Sequence, residues 1–276
     1  MIKSPDSEFE NENDSQEEVI EVQENIIEAL PENKSLVVSE DILPNSLLIV
    51  PLYDRPLFPK MLLPVIISEE RLEKILLKEL KGPQRYVGLV YSNDSEEDVL
   101  TKDTDITDNL SKIGAVGKIL QASKHGNEPM HIIVQVLERF EIVEITSEDS
   151  IIRVTVEYIQ ESGEEKSEDE LKAFSVSIIN LIKELVQLNP LFKEELGLLM
   201  GRINLKDPAT LADFAASMTT ASGKELQEIL ETKNIKIRIE KALYLLRHEL
   251  EVAKLQVKIS QRVEERMSQQ QREFFL

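Results

Sequence analysis

The 276-residue chain contains no cysteine, which excludes disulfides, thiolate metal sites and cysteine nucleophiles together and fits a reducing compartment. No apolar run reaches the roughly 18 residues of a membrane span. The amino terminus, MIKSPDSEFENENDSQ, lacks the apolar core of a signal peptide. These absences predict a cytoplasmic protein with no membrane partner.

Catalytic signatures are missing as well. His125, His131 and His248 have no second histidine at ligand spacing, and there is no Gly-x-Ser-x-Gly elbow. The many carboxylates lie in solvated runs rather than in the apolar pairs that perturb pKa values. GAVGK, Gly114 to Lys118, is the nearest approach to a phosphate loop. Its glycines are too close together, and Ile119 stands where a magnesium-binding hydroxyl is needed. No metal or cofactor site is therefore assigned. From Lys224 to Leu276, eleven basic residues face nine glutamates with no basic cluster among aromatics, so no nucleic-acid partner is expected.

What is present is uneven. Residues 1–45 hold thirteen Asp and Glu against Lys3 and Lys34, more than half of the net charge of −20. A segment rich in Glu, Asn and Ser buries too little apolar surface to offset its ordering entropy, which predicts a disordered acidic tail. Its apolar spots are Val19, Ile20, Ile26, Ile27 and Leu30.

Order is expected from Ser46. SLLIV reads as a buried strand, and PLYDRPLFPKMLLPVII follows it with prolines at 51, 56, 59 and 64. Proline donates nothing to a β-ladder, so this run belongs at strand starts, bulges or an edge, forming a rim. Two readings of the rim stay open: Leu57, Phe58, Met61 and Leu62 form an apolar contact surface, or they are core. A helix capped by Ser68 carries Leu72, Ile75, Leu76 and Leu80 and stops at Gly82-Pro83. RYVGLVYS is a strand, residues 92–109 an acidic loop, and IGAVGKILQAS a strand ending at the turn His125-Gly126-Asn127. Alternation then marks strands over Met130–Val136 and Ile152–Tyr158. Residues 46–160 thus form one mostly antiparallel β-domain.

ESGEEKSEDE, residues 161–170, reads as a linker, after which the period changes from two to about 3.6. Residues 171–234 form a helical bundle. Its first stripe is Leu171, Phe174, Ile178, Ile182 and Leu185, and a second helix opens at Asn189-Pro190 with Phe192, Leu196, Leu199 and Ile203. Asp207-Pro208 starts a third, and Ser222 with Glu225 makes a capping box. From Ile235 one long helix, residues 235–276, is striped by Leu243, Leu246, Leu250, Ala253 and Val257, then more loosely by Val263 and Met267. Such a helix is a strut or a coiled-coil arm. The ending QQQREFFL reads as a cut.

Taken together, these segments resemble the N-terminal region of bacterial-type Lon proteases. VPLYDRPLFPKMLLPVII is similar to that domain's opening, IGAVGKILQ to its next strands, and DPATLADFAAS, LLRHELEVAKLQVKISQRVEERM and QQQREFFL to its helical half. Arg55 and Pro56 depart from the β-branched residues usual there. The resemblance implies an α+β fold: a LON domain of PUA-like pseudo-barrel form, then a helical bundle and a long C-terminal helix. It implies a non-catalytic region that recognises unfolded or damaged protein substrates and feeds them to a motor. The parent is then an ATP-dependent serine endopeptidase with a Ser-Lys dyad, using ATP and Mg and working as a hexamer. Leu57, Phe58, Met61 and Leu62 become candidate substrate contacts, and Leu246, Leu250, Ala253 and Val257 a candidate coupling helix. A stand-alone adaptor or coiled-coil scaffold is the alternative.

Overall fold

Leu47, Leu48, Ile49 and Val50 are all buried, although alternate residues of a strand point to opposite faces. Their strand, β2 (Ser46–Leu52), lies between two cores, Leu48 and Val50 facing one and Leu47 and Ile49 the other. Hence SLLIV is an unbroken apolar run. The computed structural model describes residues 18–20, 43–80, 85–93, 109–124, 126, 128–148, 151–160, 168–188 and 207–274.

The strands are β1 (Glu18–Ile20), β2, β3 (Leu62–Ile67), β4 (Tyr86–Tyr91), β5 (Ile113–Lys124), β6 (Met130–Glu148) and β7 (Ile151–Tyr158). Their order is β1-β5-β4-β2-β7-β6-β3, and the additional β5–β6 pairing closes β5, β4, β2, β7 and β6 into a ring. Among the described strands only β2 and β4 pair in parallel. β6 continues to Glu148, well past the alternation that ends at Val136. It changes partners on the way, from β3 over residues 130–135 to β7 over residues 140–148, with a register shift between Ile142 and Glu144 that interrupts the period-two signal.

Helix α1 (Glu70–Leu80) buries Leu72, Leu76 and Leu80 against one core. Glu69, rather than Ser68, precedes its first helical residue. The bundle comprises α2 (Glu168–Leu188), α3 (Pro208–Ser217), α4 (Gly223–Leu230) and the 40-residue α5 (Ile235–Phe274). α2 begins inside the stretch expected to be a linker, its first residues being the acidic ones that suit a helix N-terminus. Asp207 caps α3 with Pro208 following, and the Ser222–Glu225 capping box opens α4. The expected helix with Phe192, Leu196, Leu199 and Ile203 lies outside the described residues, as does most of the acidic loop. The acidic tail also lies outside them, apart from residues 43–45 and Glu18–Ile20, where the β-branched pair Val19-Ile20 joins the sheet.

Candidate functional site

The proline run divides at a turn. Pro59 fixes the backbone ahead of Lys60, which sits at φ 66, a region that favours glycine. Lys60 N–H donates to the Val136 carbonyl at 2.9 Å, and Val136 N–H donates to the Met61 carbonyl at 2.8 Å. Two residues face one, forming a bulge with Lys60 where glycine is usual.

Upstream of this turn the chain enters the joint between the two halves of the molecule. Phe58 and Met61 are 1% and 6% exposed and share a core with Ile113, Leu211, Leu226 and Leu246. That corrects their placement on a contact surface. A large apolar side chain beside a helical bundle that itself needs cover is worth more buried than displayed. Leu57 is half-buried against the α1 core, and Leu62 is half-buried on β3.

Polar groups tie the same joint. Arg55 donates to the carbonyls of Ser217 (3.0 Å) and Thr219 (3.3 Å) at the C-terminal end of α3. Burial pulls its guanidinium below the ordinary arginine value, against the opposing pull of Asp54 and Glu249. Glu249 of α5 accepts from Thr220 N–H at 2.8 Å and from its hydroxyl at 2.7 Å. Deeper in, Arg139 of β6 pairs with Asp213 of α3 at 2.6 Å and donates from Nε to Leu230 O at 3.0 Å. Arg238 of α5 stands 3.9 Å from the same carboxylate. Gln227 donates to Ile113 O at 2.8 Å. A Cβ on Gly223 would meet Asp54 O at 2.5 Å, so α4 starts flush against the β-domain. At the solvent edge, Lys233 hydrogen-bonds Glu141 at 2.8 Å and holds its carboxyl below the usual range. This seam joins the β-domain and bundle through both packing and charge.

Downstream, β3 turns outward. Because the Met61 carbonyl faces β6, the alternate residues Leu63, Val65 and Ile67 also direct their backbone groups to β6. Leu62, Pro64 and Ile66 direct theirs to the other side, where no strand among the described residues pairs with β3, so Pro64 removes a donor that the described sheet does not use. Pro64 is exposed and lies opposite Ile133, itself 36% exposed, while Ile66 is 58% exposed. With Leu62, and beside exposed His131 and Gln135, they form an uncharged apolar patch. Sequence reasoning missed Ile66 and Ile133 as contacts. The signal was available for Ile133, which alternates with Met130, Ile132, Val134 and Val136, whereas the rim containing Ile66 carried no such reading.

On α5, Leu246 and Leu250 are buried in the bundle core, Ala253 packs against it and Val257 is half-buried. Past Val257 the inward stripe meets Ser260 and Glu264 and ends. Val263 and Met267, expected to continue it, are exposed together with Leu255 and Ile259. These four lie on another face of the helix.

Among the described residues no His, Asp or Glu cluster could hold a metal ion. GAVGK is the start of β5, where a Cβ on Gly117 would come within 2.3 Å of Val134. Its glycines serve close packing inside the sheet and do not fit a nucleotide phosphate. No helix among the described residues is long and apolar enough to cross a membrane. The arrangement offers surfaces for binding.

The family model for the ATP-dependent protease La (LON) substrate-binding domain matches residues 46–248. Lon protease 1 of Syntrophotalea carbinolica is 40% identical over 243 residues, covering 88% of this chain and 29% of that protein. The Lon protease of Chlamydia pneumoniae is 38% identical over 238 residues, covering 86% of this chain and 28% of that protein. The chain thus spans less than a third of the length of these curated relatives. In three dimensions it is similar to the N-terminal domain of a Mycobacterium avium complex Lon protease, with TM-score 0.55 and 18% identity over 73% of this chain and 97% of that one. That likeness establishes the α+β fold.

Proposed function

The chain belongs to the Lon protease family through its substrate-binding domain, and on that premise we propose that it captures unfolded or damaged proteins without performing chemistry itself. The observation that carries the reading is the exposed patch of Leu62, Pro64, Ile66 and Ile133. Unfolded chains expose apolar segments, and an uncharged patch beside a blunted edge can take them without inviting aggregation of the domain. Leu57 supports the patch from below, while Phe58 and Met61 hold it to the bundle.

The finer parts of the proposal concern the parent protease. It is a cytoplasmic hexamer whose motor uses ATP and Mg and whose Ser-Lys dyad cleaves, all outside this region. Leu246, Leu250, Ala253 and Val257 then fasten the β-domain and bundle to a rod about 60 Å long. This region engages neither membrane nor nucleic acid.

Titration with a permanently unfolded, fluorescently labelled α-lactalbumin tests the reading. Paired substitution of Ile66→Asp and Ile133→Asp is expected to weaken binding about tenfold or more, a loss of ~1.4 kcal/mol, with an unchanged circular dichroism spectrum. Absence of binding by the unsubstituted chain would remove the recognition role. ATPase or peptidase activity in the isolated chain would remove the non-catalytic one.

The exposed Leu255, Ile259, Val263 and Met267 favour a second reading, a scaffold displayed on a coiled-coil arm. Sedimentation over a concentration series discriminates. A monomer or weak associate agrees with the first reading, whereas a tight oligomer of the isolated chain favours the second.

A further inference from the structure

β5 outruns its neighbour. Its last register partner on β4 is Tyr86, opposite Lys118, and Ile119 N–H reaches Arg85 O at 2.8 Å. Beyond that point, among the described residues, Ala122, Ser123 and Lys124 are met on that side only by β1, Glu18–Ile20. Their other side is paired with β6, and β6 in turn with β3. The overhang is therefore a four-stranded plate. One register row crosses it from Val19 through Ser123 and His131 to Ile66. The plate's inner face packs on Leu72, Leu76 and Leu80 of α1, and its outer face carries Pro64, Ile66 and Ile133.

The two edges of this plate are treated differently. Pro64 blunts the β3 edge, but no proline lies in β5. The β5 edge instead receives three residues from an acidic segment rich in glutamate. Three residues of antiparallel pairing supply few hydrogen bonds. Such a strand is exchangeable. A second extended segment could form the same main-chain bonds while placing alternate side chains in line with the outer patch.

We propose that the Ala122–Lys124 edge of β5 is a strand-addition site for extended segments of unfolded polypeptide, held in the resting molecule by Glu18–Ile20 as an intramolecular competitor. The proposal rests on the substrate-capture reading above and gives it a recognition mode: main-chain pairing tolerant of sequence, with apolar preference at alternate positions.

The test uses the full chain carrying Ile20→Pro, which removes the backbone donor that the competing strand directs at Ala122, beside Ser35→Pro as a control elsewhere in the tail. Hydrogen exchange at the amides of Ala122 and Lys124, which face the competing strand, and titration with unfolded, labelled α-lactalbumin are read together. Ile20→Pro is expected to accelerate exchange there and to tighten polypeptide binding by about fivefold, the size of effect lost with a weak tethered competitor. A peptide of residues 14–24 should compete with the polypeptide, and its N-methylated form should not. Unaltered exchange, or accelerated exchange with unaltered affinity, overturns the proposal. If the polypeptide binds and Ile66→Asp weakens it but Ile20→Pro does nothing, the proposal falls and the capture reading stands. If nothing binds in any variant, both fall.

Discussion

Two halves of one proline-rich run, Pro51–Met61 and Leu62–Ile67, have similar composition and opposite fates. The first sends Arg55, Phe58 and Met61 into the seam with the helical bundle, whereas the second lays Leu62, Pro64 and Ile66 along an open sheet edge. What separates them is the bulge at Lys60 and Met61, which re-aims the chain in two residues. Apolar content alone does not say which side of a fold a segment serves. Its position relative to a backbone irregularity does.

The sharpest way to break the comparison is to truncate one side chain from each half. Phe58→Ala should cost about 3–5 kcal/mol, as expected for a fully buried phenylalanine. Ile66→Ala should change stability by no more than about 0.5 kcal/mol, as surface positions do, while weakening polypeptide binding. Urea denaturation of both variants measures the contrast. Equal stability losses would mean that β3 is buried against something in solution.

The charged part of the seam gives a comparable effect. Asp213→Ala removes the carboxylate that Arg139, 3% exposed at its side chain, meets at 2.6 Å and Arg238 at 3.9 Å, and loss of one member of a buried pair costs about 3–5 kcal/mol. Replacing both members, Arg139→Met with Asp213→Leu, should recover much of that loss. If the double variant is no better than the single one, the pair acts through its hydrogen bonds to the backbone rather than through charge.

A break in α5 extends the comparison from the seam to the rod. Ala253→Pro lies where the helix leaves the bundle, and it removes a backbone bond at a cost of about 3 kcal/mol or more. In a full-length parent, it is expected to impair degradation of folded or bulky proteins while sparing short-peptide cleavage and basal ATP hydrolysis. Equal losses in all three assays would assign the helix to assembly, and no loss in any would make it a tether.

Much of the architecture was legible because local signals agreed with the fold. Asp207-Pro208, the Ser222–Glu225 box and the stripe from Leu243 to Val257 each report a helix through bonds made within a few residues. The candidate site was far less legible. Whether Phe58 faces water depends on Leu226 and Leu246, both distant in sequence, and nothing near Arg55 announces that it will meet the carbonyls of Ser217 and Thr219. Ile66 and Ile133 become neighbours only through the β3–β6 register. Local periodicity shows that a face exists, and long-range packing decides what covers it.

The smallest expected effect lies at the hinge between the two halves. Lys60 holds φ 66 without being glycine, and for an ordinary residue the left-handed region costs roughly 1–2 kcal/mol. Lys60→Gly relieves that strain but adds unfolded-state freedom of about 0.5–1 kcal/mol. It also removes the exposed pair with Glu138 at 2.9 Å, an interaction of a class typically contributing about 0.2–1 kcal/mol. The net expectation is a gain of about 0.5 kcal/mol or less, which thermal denaturation can resolve when Lys60→Ala is measured beside it, because alanine loses the ion pair and keeps the strain. Lys60→Val should be the worst of the three, since a β-branched side chain tolerates this backbone least. The order Gly, Ala, Val from most to least stable would confirm that the bulge is held in solution. A flat series would mean that Lys60 escapes its left-handed conformation, and the sharp division between the buried and open halves of the run would then lose its structural cause.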